Sequence, residues 1–468
     1  MYANLKTKLN SIFNKSGLTN FFYGPFYPII VALFTTIFFV TETQLIGLLL
    51  ASLTASIIFL RFKDATPIFP LLFLIVLCFR DYSTMNGVLP YILLAPAIIA
   101  FILKFFVYPV KNFKPGKLFL PLILVCAALF LSGINSPLNN YAGGLSIMVT
   151  IGPTMLIIYT FFSAYVCPPK DFNLGKYLCF LLLILGLTST AHISFYRISC
   201  DVLKNNSFER WELGWGNINC AATLLLPAIA SCWYLITQAR HMSPYFIVLT
   251  VLYFGVFLSN SAGVLGTTLA FLPVLAYFTY KRISLYNRNA YIQVLLIVGG
   301  MLVGAVAATV IFFGYEELIT MLKPFFSENS RTILYEKAIE LFKKYPIFGV
   351  GLGFAEEQSS PISISIYNFH SVFFHVVGAM GIVGIVAYTI YYFARFRILM
   401  KGYNSFSIFI TIAFIMFECY AFIDTAEFNA IPLMSTMTVV MVVKEYLNKK
   451  SNDQALPLLM DYHNRVIF

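Results

Sequence analysis

The sequence predicts an all-α protein, a polytopic bundle of about 12–14 transmembrane helices with a long extracytoplasmic loop that contains an amphipathic helix. Hydrophobic residues make up 59% of the 468 residues and charged residues only 11%. The mean hydropathy of +0.82 lies outside the range of soluble domains. Apolar runs of roughly 15 to 25 residues repeat along the chain, each long enough to cross a hydrocarbon core. We therefore expect residues 1–468 to form a single integral membrane domain.

Fourteen apolar runs can be placed along the chain. The second and third are short, and if they form a re-entrant or interfacial pair, about twelve spans remain and every later orientation is preserved. The runs cover residues 22–41, 44–60, 67–80, 88–109, 118–134, 145–166, 177–195, 218–237, 244–260, 262–280, 291–313, 370–394, 403–423 and 429–447.

The formal net charge of +11 is a signal of topology. With both termini in the cytoplasm, 22 of the 31 Lys and Arg residues fall on the cytoplasmic side, as the positive-inside rule predicts. Nucleic acid is therefore excluded as a partner, and the lipid bilayer is expected. Insertion does not explain the nine cations left outside, eight of which cluster in two loops, residues 196–216 and 314–369. These nine are Arg80, Arg197, Lys204, Arg210, Lys323, Arg331, Lys337, Lys343 and Lys344.

Residues 314–369 form the long extracytoplasmic loop, and "RTILYEKAIELFKKY" at residues 331–345 predicts an amphipathic helix within it. We call this segment the loop helix. It begins after Asn329 or Ser330, which are good N-cap residues, and ends at Pro346. Lying on the outer membrane surface, the loop helix would cover any opening between the spans.

Two external arginines are candidates for holding an anion. Arg331 lies in the first turn of the loop helix, where the helix dipole disfavours a cation, so an anionic group is expected beside it. Helix amides together with a guanidinium group suit a phosphate. The alternative is a surface arginine paired to Glu328 or to a lipid head group. Arg210 lies in the other loop, residues 196–216. It is as well explained by binding a phosphate or sugar as by having no such role.

His370, at the mouth of the span that follows the long loop, is the candidate general base. An imidazole can accept a proton from a sugar hydroxyl near neutral pH. The alternative is a histidine at the membrane interface that only has its hydrogen bonds satisfied and takes no part in chemistry. A metal site with His375 is not expected, because residues five apart on a helix point about 140° apart.

Further candidate substrate contacts lie around these residues. Tyr335 and Lys337 lie on the loop helix, and Trp215 could contact substrate or anchor the chain at the interface. The remaining four candidates have simpler alternatives. Asn217 and Asn219 could cap the next span, and Glu356 and Glu357 could belong to a solvated loop.

Three segments together resemble a known family. They are "ERWELGWGNINCAATLLLPAIA", "SRTILYEKAIELFKKYPIFGVGLG" and "FHSVFFHVVGAMGIVGIV", which lie within residues 208–390. This order resembles the O-antigen ligase and O-antigen or capsule polymerase family of bacterial membrane glycosyltransferases. The chain departs from the family pattern where Ser261, Ala262 and Gly263 replace Ser-Arg-Gly, and where Ser371 follows His370 instead of Asn.

The resemblance implies an enzyme of the bacterial cytoplasmic membrane with its active site on the extracytoplasmic side. It would transfer a glycan from an undecaprenyl-diphosphate-linked donor to a glycan or lipid acceptor, without a metal or other cofactor. Arg331 and Arg210 would hold the diphosphate, and His370 would be the catalytic base. The sequence leaves polymerase and ligase activities open. If this assignment is correct, the three residues converge within about 10–12 Å on one cavity.

Two other classes of function remain open. A transporter, such as a flippase of lipid-linked oligosaccharides, also has twelve to fourteen spans, and the intramembrane carboxylate of Glu418 would suit its proton relay. The sequence contains no internal repeat of the kind that such transporters often show. A scaffold without catalysis would leave Arg210, Arg331 and His370 far apart.

Overall fold

The computed structural model describes residues 15–80, 88–111, 113–199, 212–213, 216–296, 299, 331–354, 369–424 and 431–453. These residues are almost entirely helical. The sequence did not predict the small antiparallel hairpin that pairs β1 (Glu212–Leu213) with β2 (Gly216–Asn217).

The helices before this hairpin are α1 (Lys15–Phe22), α2 (Phe26–Val40), α3 (Gln44–Arg61), α4 (Phe69–Leu74), α5 (Leu89–Val107), α6 (Phe119–Leu131), α7 (Leu138–Tyr165) and α8 (Leu174–Ser199). Those after it are α9 (Ile218–Thr223), α10 (Leu225–Gln238), α11 (Ser243–Ser259), α12 (Ala262–Arg282), α13 (Arg331–Lys344), α14 (Val372–His375), α15 (Gly381–Leu399), α16 (Ser405–Ala421) and α17 (Ile431–Asp453). A π-helical turn, Val376–Met380, joins α14 to α15.

The predicted all-α membrane bundle is confirmed. Among the described residues, 7 helical segments are long and apolar enough to cross a membrane, and five shorter apolar helices accompany them. The second predicted run is a full helix, α3. The third is a buried helix, α4, with a 3₁₀ turn at each end. Most of the eleventh predicted run, residues 291–313, lies outside the described residues.

Helix α10 lies at the centre of the bundle. It packs against α8, α11, α12 and α16, and it buries every side chain from Leu225 to Ile236. A helix that is apolar all round, as this one is, requires protein on every side. The crossing with α8 is close, because a Cβ placed on Gly186 would lie 2.3 Å from the Cβ of Ala228. Small residues allow such close helix contacts in membranes.

A buried carboxylate joins helices at the end of the bundle opposite His370. Glu445 accepts a 2.5 Å hydrogen bond from the Tyr159 hydroxyl and a 3.1 Å hydrogen bond from the backbone N–H of Lys117. The Tyr159 hydroxyl in turn accepts from the backbone N–H of Leu118, just before α6. Glu445 therefore ties α17 to α7 and to the start of α6.

Arg80 and Arg197, two of the nine cations left unexplained by insertion, contact distant parts of the chain. Arg80 pairs with Glu42 at 2.6 Å. Arg197 donates from Nε to the backbone carbonyl of Leu258 at 2.7 Å, near the end of α11. Cations near a helix C-terminus interact favourably with its exposed carbonyl groups. These contacts give Arg80 and Arg197 a role in packing.

Candidate functional site

The loop helix forms as predicted and is α13, Arg331–Lys344. Its apolar stripe, Leu334, Ala338 and Leu341, is buried. This stripe packs against the π-helical turn, where the Cβ of Ala338 lies 3.2 Å from a Cβ placed on Gly378. The helix is therefore held against the bundle by its small and apolar residues.

The segment that leaves the loop helix, residues 346–353, is joined to the same π-helical turn by its backbone. The Val350 N–H donates to the Gly378 carbonyl and the Gly351 N–H donates to the Ala379 carbonyl, both at 3.0 Å. A π-turn leaves carbonyl groups without their usual helical donors, and irregular backbone at membrane depth persists only when protein satisfies it. This exit segment satisfies that requirement and fixes the position of the loop helix.

His370 lies directly beside the loop helix. Its backbone is left-handed, with φ +47°, and its carbonyl oxygen accepts a 3.3 Å hydrogen bond from the Tyr335 hydroxyl. The Tyr335 ring stacks on Phe374 with centroids 4.2 Å apart and planes 10° apart. Ser371 caps α14 by accepting from the Phe374 N–H. In this position serine provides the capping oxygen that the asparagine of the family pattern would also offer.

Asp424 faces the His370 imidazole. Its Oδ1 lies 3.7 Å from His370 Nδ1, and its side chain is only 6% exposed. Its Oδ2 accepts a 2.8 Å hydrogen bond from the Tyr420 hydroxyl. The 3.7 Å separation is an ion-pair distance and is too long for a hydrogen bond. A carboxylate in this place orients an imidazole and stabilises the positive charge that the ring acquires when it accepts a proton.

Arg331 belongs to the same cluster through Tyr335. The two residues are one helical turn apart, so their side chains share a face of the loop helix. Burial raises the pKa of Tyr335, while the nearby Arg331 guanidinium lowers it and the Asp424 carboxylate raises it. Arg331, Tyr335, His370 and Asp424 therefore lie together where the loop helix meets the bundle. This end is called the His370 end below.

The start of α12 packs on the same end of α16. A Cβ placed on Gly263 would lie 2.6 Å from Ile423 and 2.9 Å from the Tyr420 ring. The segment Ser261–Gly263, which departs from the family pattern, is thus held next to Tyr420 and Ile423. Because Ala262 replaces an arginine of that pattern, it contributes no cation here.

The other predicted site residues have different positions. Asn217 caps α9, since its Oδ1 accepts from the Cys220 N–H at 3.1 Å, and the backbone carbonyl of Asn219 accepts from the Thr223 hydroxyl. Lys337 forms an ion pair with Glu340 on the loop helix at 3.1 Å. Four predicted site residues lie outside the described residues, namely Arg210, Trp215, Glu356 and Glu357.

An apolar groove of about 250 Å³ lies beside the cluster. It starts at Val372 and Phe373, which follow His370, and it reaches Ala421 and Phe422, which precede Asp424. The remaining lining residues are Val376, Val377, Ile385, Tyr388, Thr389, Tyr392 and Glu418. Phe373 and Phe422 are exposed at its rim, so the groove opens at the surface of the bundle.

Glu418 in this groove is paired with Arg395. Arg395 is 3% exposed and lies over the rings of Tyr391, Tyr392 and Phe414. A buried charge is tolerated when it is paired and surrounded by favourable contacts. The intramembrane carboxylate that suggested a proton relay therefore has a cationic partner from the neighbouring helix.

Asp424, a member of the cluster, and Tyr420, which donates a hydrogen bond to it, were not among the sequence-based candidates. Asp424 and Tyr420 lie at the end of α16, far along the chain from the long loop. The available signal was an aspartate just after an apolar run, on the same side of the membrane as the loop.

Within the described residues, no group of three His, Cys, Asp or Glu side chains is placed to share a metal ion.

Comparison with known proteins supports the resemblance seen in the sequence. Residues 246–389 match the family described as O-antigen ligase. The matched stretch runs from α11 into α15 and includes the loop helix, the exit segment and His370. Asp424 and Tyr420 lie beyond it. No curated protein matches the chain.

Proposed function

Because residues 246–389 match the family described as O-antigen ligase, we propose that this chain transfers a glycan from an undecaprenyl-diphosphate-linked donor to a glycan or lipid acceptor. The observation that supports this proposal best is the cluster of Arg331, Tyr335, His370 and Asp424 beside an apolar groove. An anion-binding group, a candidate base and an apolar groove for part of a lipid tail are the three parts that such a transfer needs.

Arg331 is proposed to bind the donor diphosphate. The guanidinium group and the backbone amides of the first helical turn are donors suited to phosphate oxygens. As the sugar leaves, negative charge develops on the phosphate, and these donors stabilise it without a metal. Arg210 is proposed as the second cation, with Trp215, Asn217 and Asn219 near the bound glycan. Lys337, Glu356 and Glu357 remain proposed contacts to the glycan.

His370 is proposed to act as the general base. The acceptor hydroxyl oxygen attacks the anomeric carbon of the donor sugar, and its proton passes to the imidazole. The bond between this carbon and the phosphate oxygen breaks, and the electron pair leaves with the diphosphate. Asp424 stabilises the imidazolium that forms. Hydrogen bonding from Tyr420 keeps the Asp424 carboxylate in place.

The groove beside His370 is proposed to hold the first part of the polyprenyl tail. Its lining is mostly apolar and aromatic, and it opens at the surface of the bundle beside Phe373 and Phe422. A tail in this groove would leave the diphosphate at the His370 end, next to Arg331. The rest of the tail could then extend into the bilayer.

The distribution of charge supports the proposed orientation. Residues 1–468 would form one membrane domain of the bacterial cytoplasmic membrane, with both termini in the cytoplasm and residues 314–369 outside. The His370 end would then face away from the cytoplasm, where a lipid-linked glycan is available after export. The opposite end, with Glu445, would be cytoplasmic.

The transporter alternative loses its main supporting feature. It depended on Glu418 as a proton-carrying group, and the ion pair with Arg395 gives that carboxylate a role in packing α15 against α16. The scaffold alternative would leave Arg210, Arg331 and His370 far apart. Arg331 and His370 both contact or neighbour Tyr335, whereas Arg210 lies outside the described residues.

The proposed function is tested with Arg331→Ala and His370→Ala in cells that depend on this protein for surface glycan. Each variant should abolish surface glycan while lipid-linked precursor accumulates on the outer face of the membrane. An impermeant label for oxidised sugars on intact spheroplasts measures that precursor. Lys343→Ala, an exposed cation of the same helix, is the control and should behave as wild type.

Two outcomes would contradict the proposal. Wild-type surface glycan in both variants would show that neither residue takes part in the transfer. Accumulation of precursor only on the inner face would indicate a transporter, because export itself would then have failed.

A further inference from the structure

The backbone of His370 has a conformation that side chains rarely adopt. Its φ of +47° lies in the left-handed region, and histidine has a Cβ that disfavours this region. Such a residue stays there only when its surroundings hold it. The direction of the imidazole follows from this backbone, because φ and ψ set the direction of the Cα–Cβ bond.

Tyr335 contacts the backbone of His370 and the ring of Phe374. Its hydroxyl donates to the His370 carbonyl oxygen at 3.3 Å, and its ring stacks on Phe374, four residues later, at 4.2 Å. Between these two contacts, Ser371 begins α14 by accepting from the Phe374 N–H, and its carbonyl accepts from the His375 N–H at 2.8 Å. Tyr335 thus connects the loop helix to the residue before α14 and to the first turn of α14.

We propose that Tyr335 is a positioning residue that holds His370 in its left-handed conformation and so directs the imidazole toward Asp424. This inference rests on the proposed function, in which His370 is the base. The hydroxyl of Tyr335 is already engaged with the protein backbone, and its ring is engaged with Phe374. A direct contact between Tyr335 and substrate, which the sequence suggested, is therefore replaced by an indirect role.

The arrangement also links two parts of the site. Arg331 lies one turn before Tyr335 on the same helix, so one rigid element carries the proposed diphosphate contact and the group that holds the base. A displacement of the loop helix would change both at once. Asp424 and Arg331 both act on the Tyr335 hydroxyl electrostatically, which places all these groups in one small region.

The test is Tyr335→Phe, which removes the hydroxyl and keeps the stacked ring. Transfer is measured on purified protein in nanodiscs, with lipid-linked glycan extracted from cells that lack this protein. We expect a kcat roughly three- to tenfold lower and an unchanged KM, because one hydrogen bond that orients the base is lost. Tyr345→Phe, just after the same helix, is the matched control and should leave both constants unchanged.

A second measurement does not depend on transfer. Diethyl pyrocarbonate modifies exposed imidazoles, and mass spectrometry gives the rate for His370, whose side chain is 35% exposed. Tyr335→Phe should change this rate by about twofold or more, since the ring would no longer be held toward Asp424. A merely structural role would lower the unfolding temperature while leaving both this rate and kcat per folded molecule unchanged.

The outcomes separate the inference from the proposed function. A wild-type modification rate in Tyr335→Phe would overturn the inference, and so would a raised KM with unchanged kcat, which would show that Tyr335 contacts substrate. Full transfer by His370→Ala would overturn the base assignment. In that case the modification rate of His370 would still decide whether Tyr335 positions it.

Discussion

Gly349 occupies a position in the exit segment where no side chain fits. Its φ is +68°, and a Cβ placed there would lie 2.2 Å from the carbonyl carbon of Ala379 and 2.4 Å from the backbone nitrogen of Met380. Both neighbours are backbone atoms of the π-helical turn and cannot rotate away. Gly349→Ala therefore has to displace either the exit segment or the turn.

The cost of this substitution has two parts. The left-handed conformation costs a residue with a Cβ roughly 1–2 kcal/mol. Overpacking against a rigid neighbour typically costs about 1–3 kcal/mol. We therefore expect Gly349→Ala to lower the free energy of unfolding by about 2–5 kcal/mol. The displacement would also reach His370, because the π-helical turn follows α14 directly.

The assay is thermal unfolding of the purified protein in detergent, with Gly266→Ala as the matched control. Gly266 lies exposed within α12, and a Cβ there would meet nothing within 4 Å. Alanine in a helix is more favourable than glycine by about 1 kcal/mol, so this control should unfold at the wild-type temperature or above it. Equal unfolding temperatures for the two variants would refute the reasoning about the exit segment.

Three further predictions follow from buried groups. Glu418→Leu alone should destabilise the protein by roughly 3–5 kcal/mol because it removes the carboxylate that pairs with the buried Arg395 guanidinium, and adding Arg395→Met should recover most of this loss in chemical unfolding; a double variant as unstable as the single one would contradict this. Glu445→Gln should cost about 1–3 kcal/mol by weakening two buried hydrogen bonds, whereas Lys449→Ala, a partner of Glu445 that is 57% exposed, should cost less than about 1 kcal/mol in the same assay. The folded pKa of Tyr335 is raised above its ordinary value of about 10, so the stability linked to this group is present below pH 10 and is lost as pH rises through the raised pKa. The difference in unfolding temperature between Tyr335→Phe and wild type should therefore be the same at pH 6 and pH 9. If this difference changes between the two pH values, another group titrates in that range.

The loop helix illustrates what local pattern can predict. Its apolar stripe and its end before Pro346 both follow from helix periodicity and from the residues that end helices. The same pattern could not say what the stripe packs against. A stripe of Leu and Ala fits a lipid surface as well as another helix, and the structure places it on a π-helical turn that no periodicity signals.

The sequence by itself determined the membrane bundle and the loop helix, and it made Arg331 and His370 candidate site residues. Hydropathy, helix periodicity and a cation on the side that insertion does not favour can each be read from a single segment. Only the tertiary structure decided that Asp424 faces His370, that Tyr335 holds the His370 backbone and that Glu418 is paired with Arg395. Each of these is a contact between residues 23 to 54 positions apart, and such contacts depend on how the helices pack together. Packing in lipid is set by small residues and close backbone approach, which leave little signal in composition.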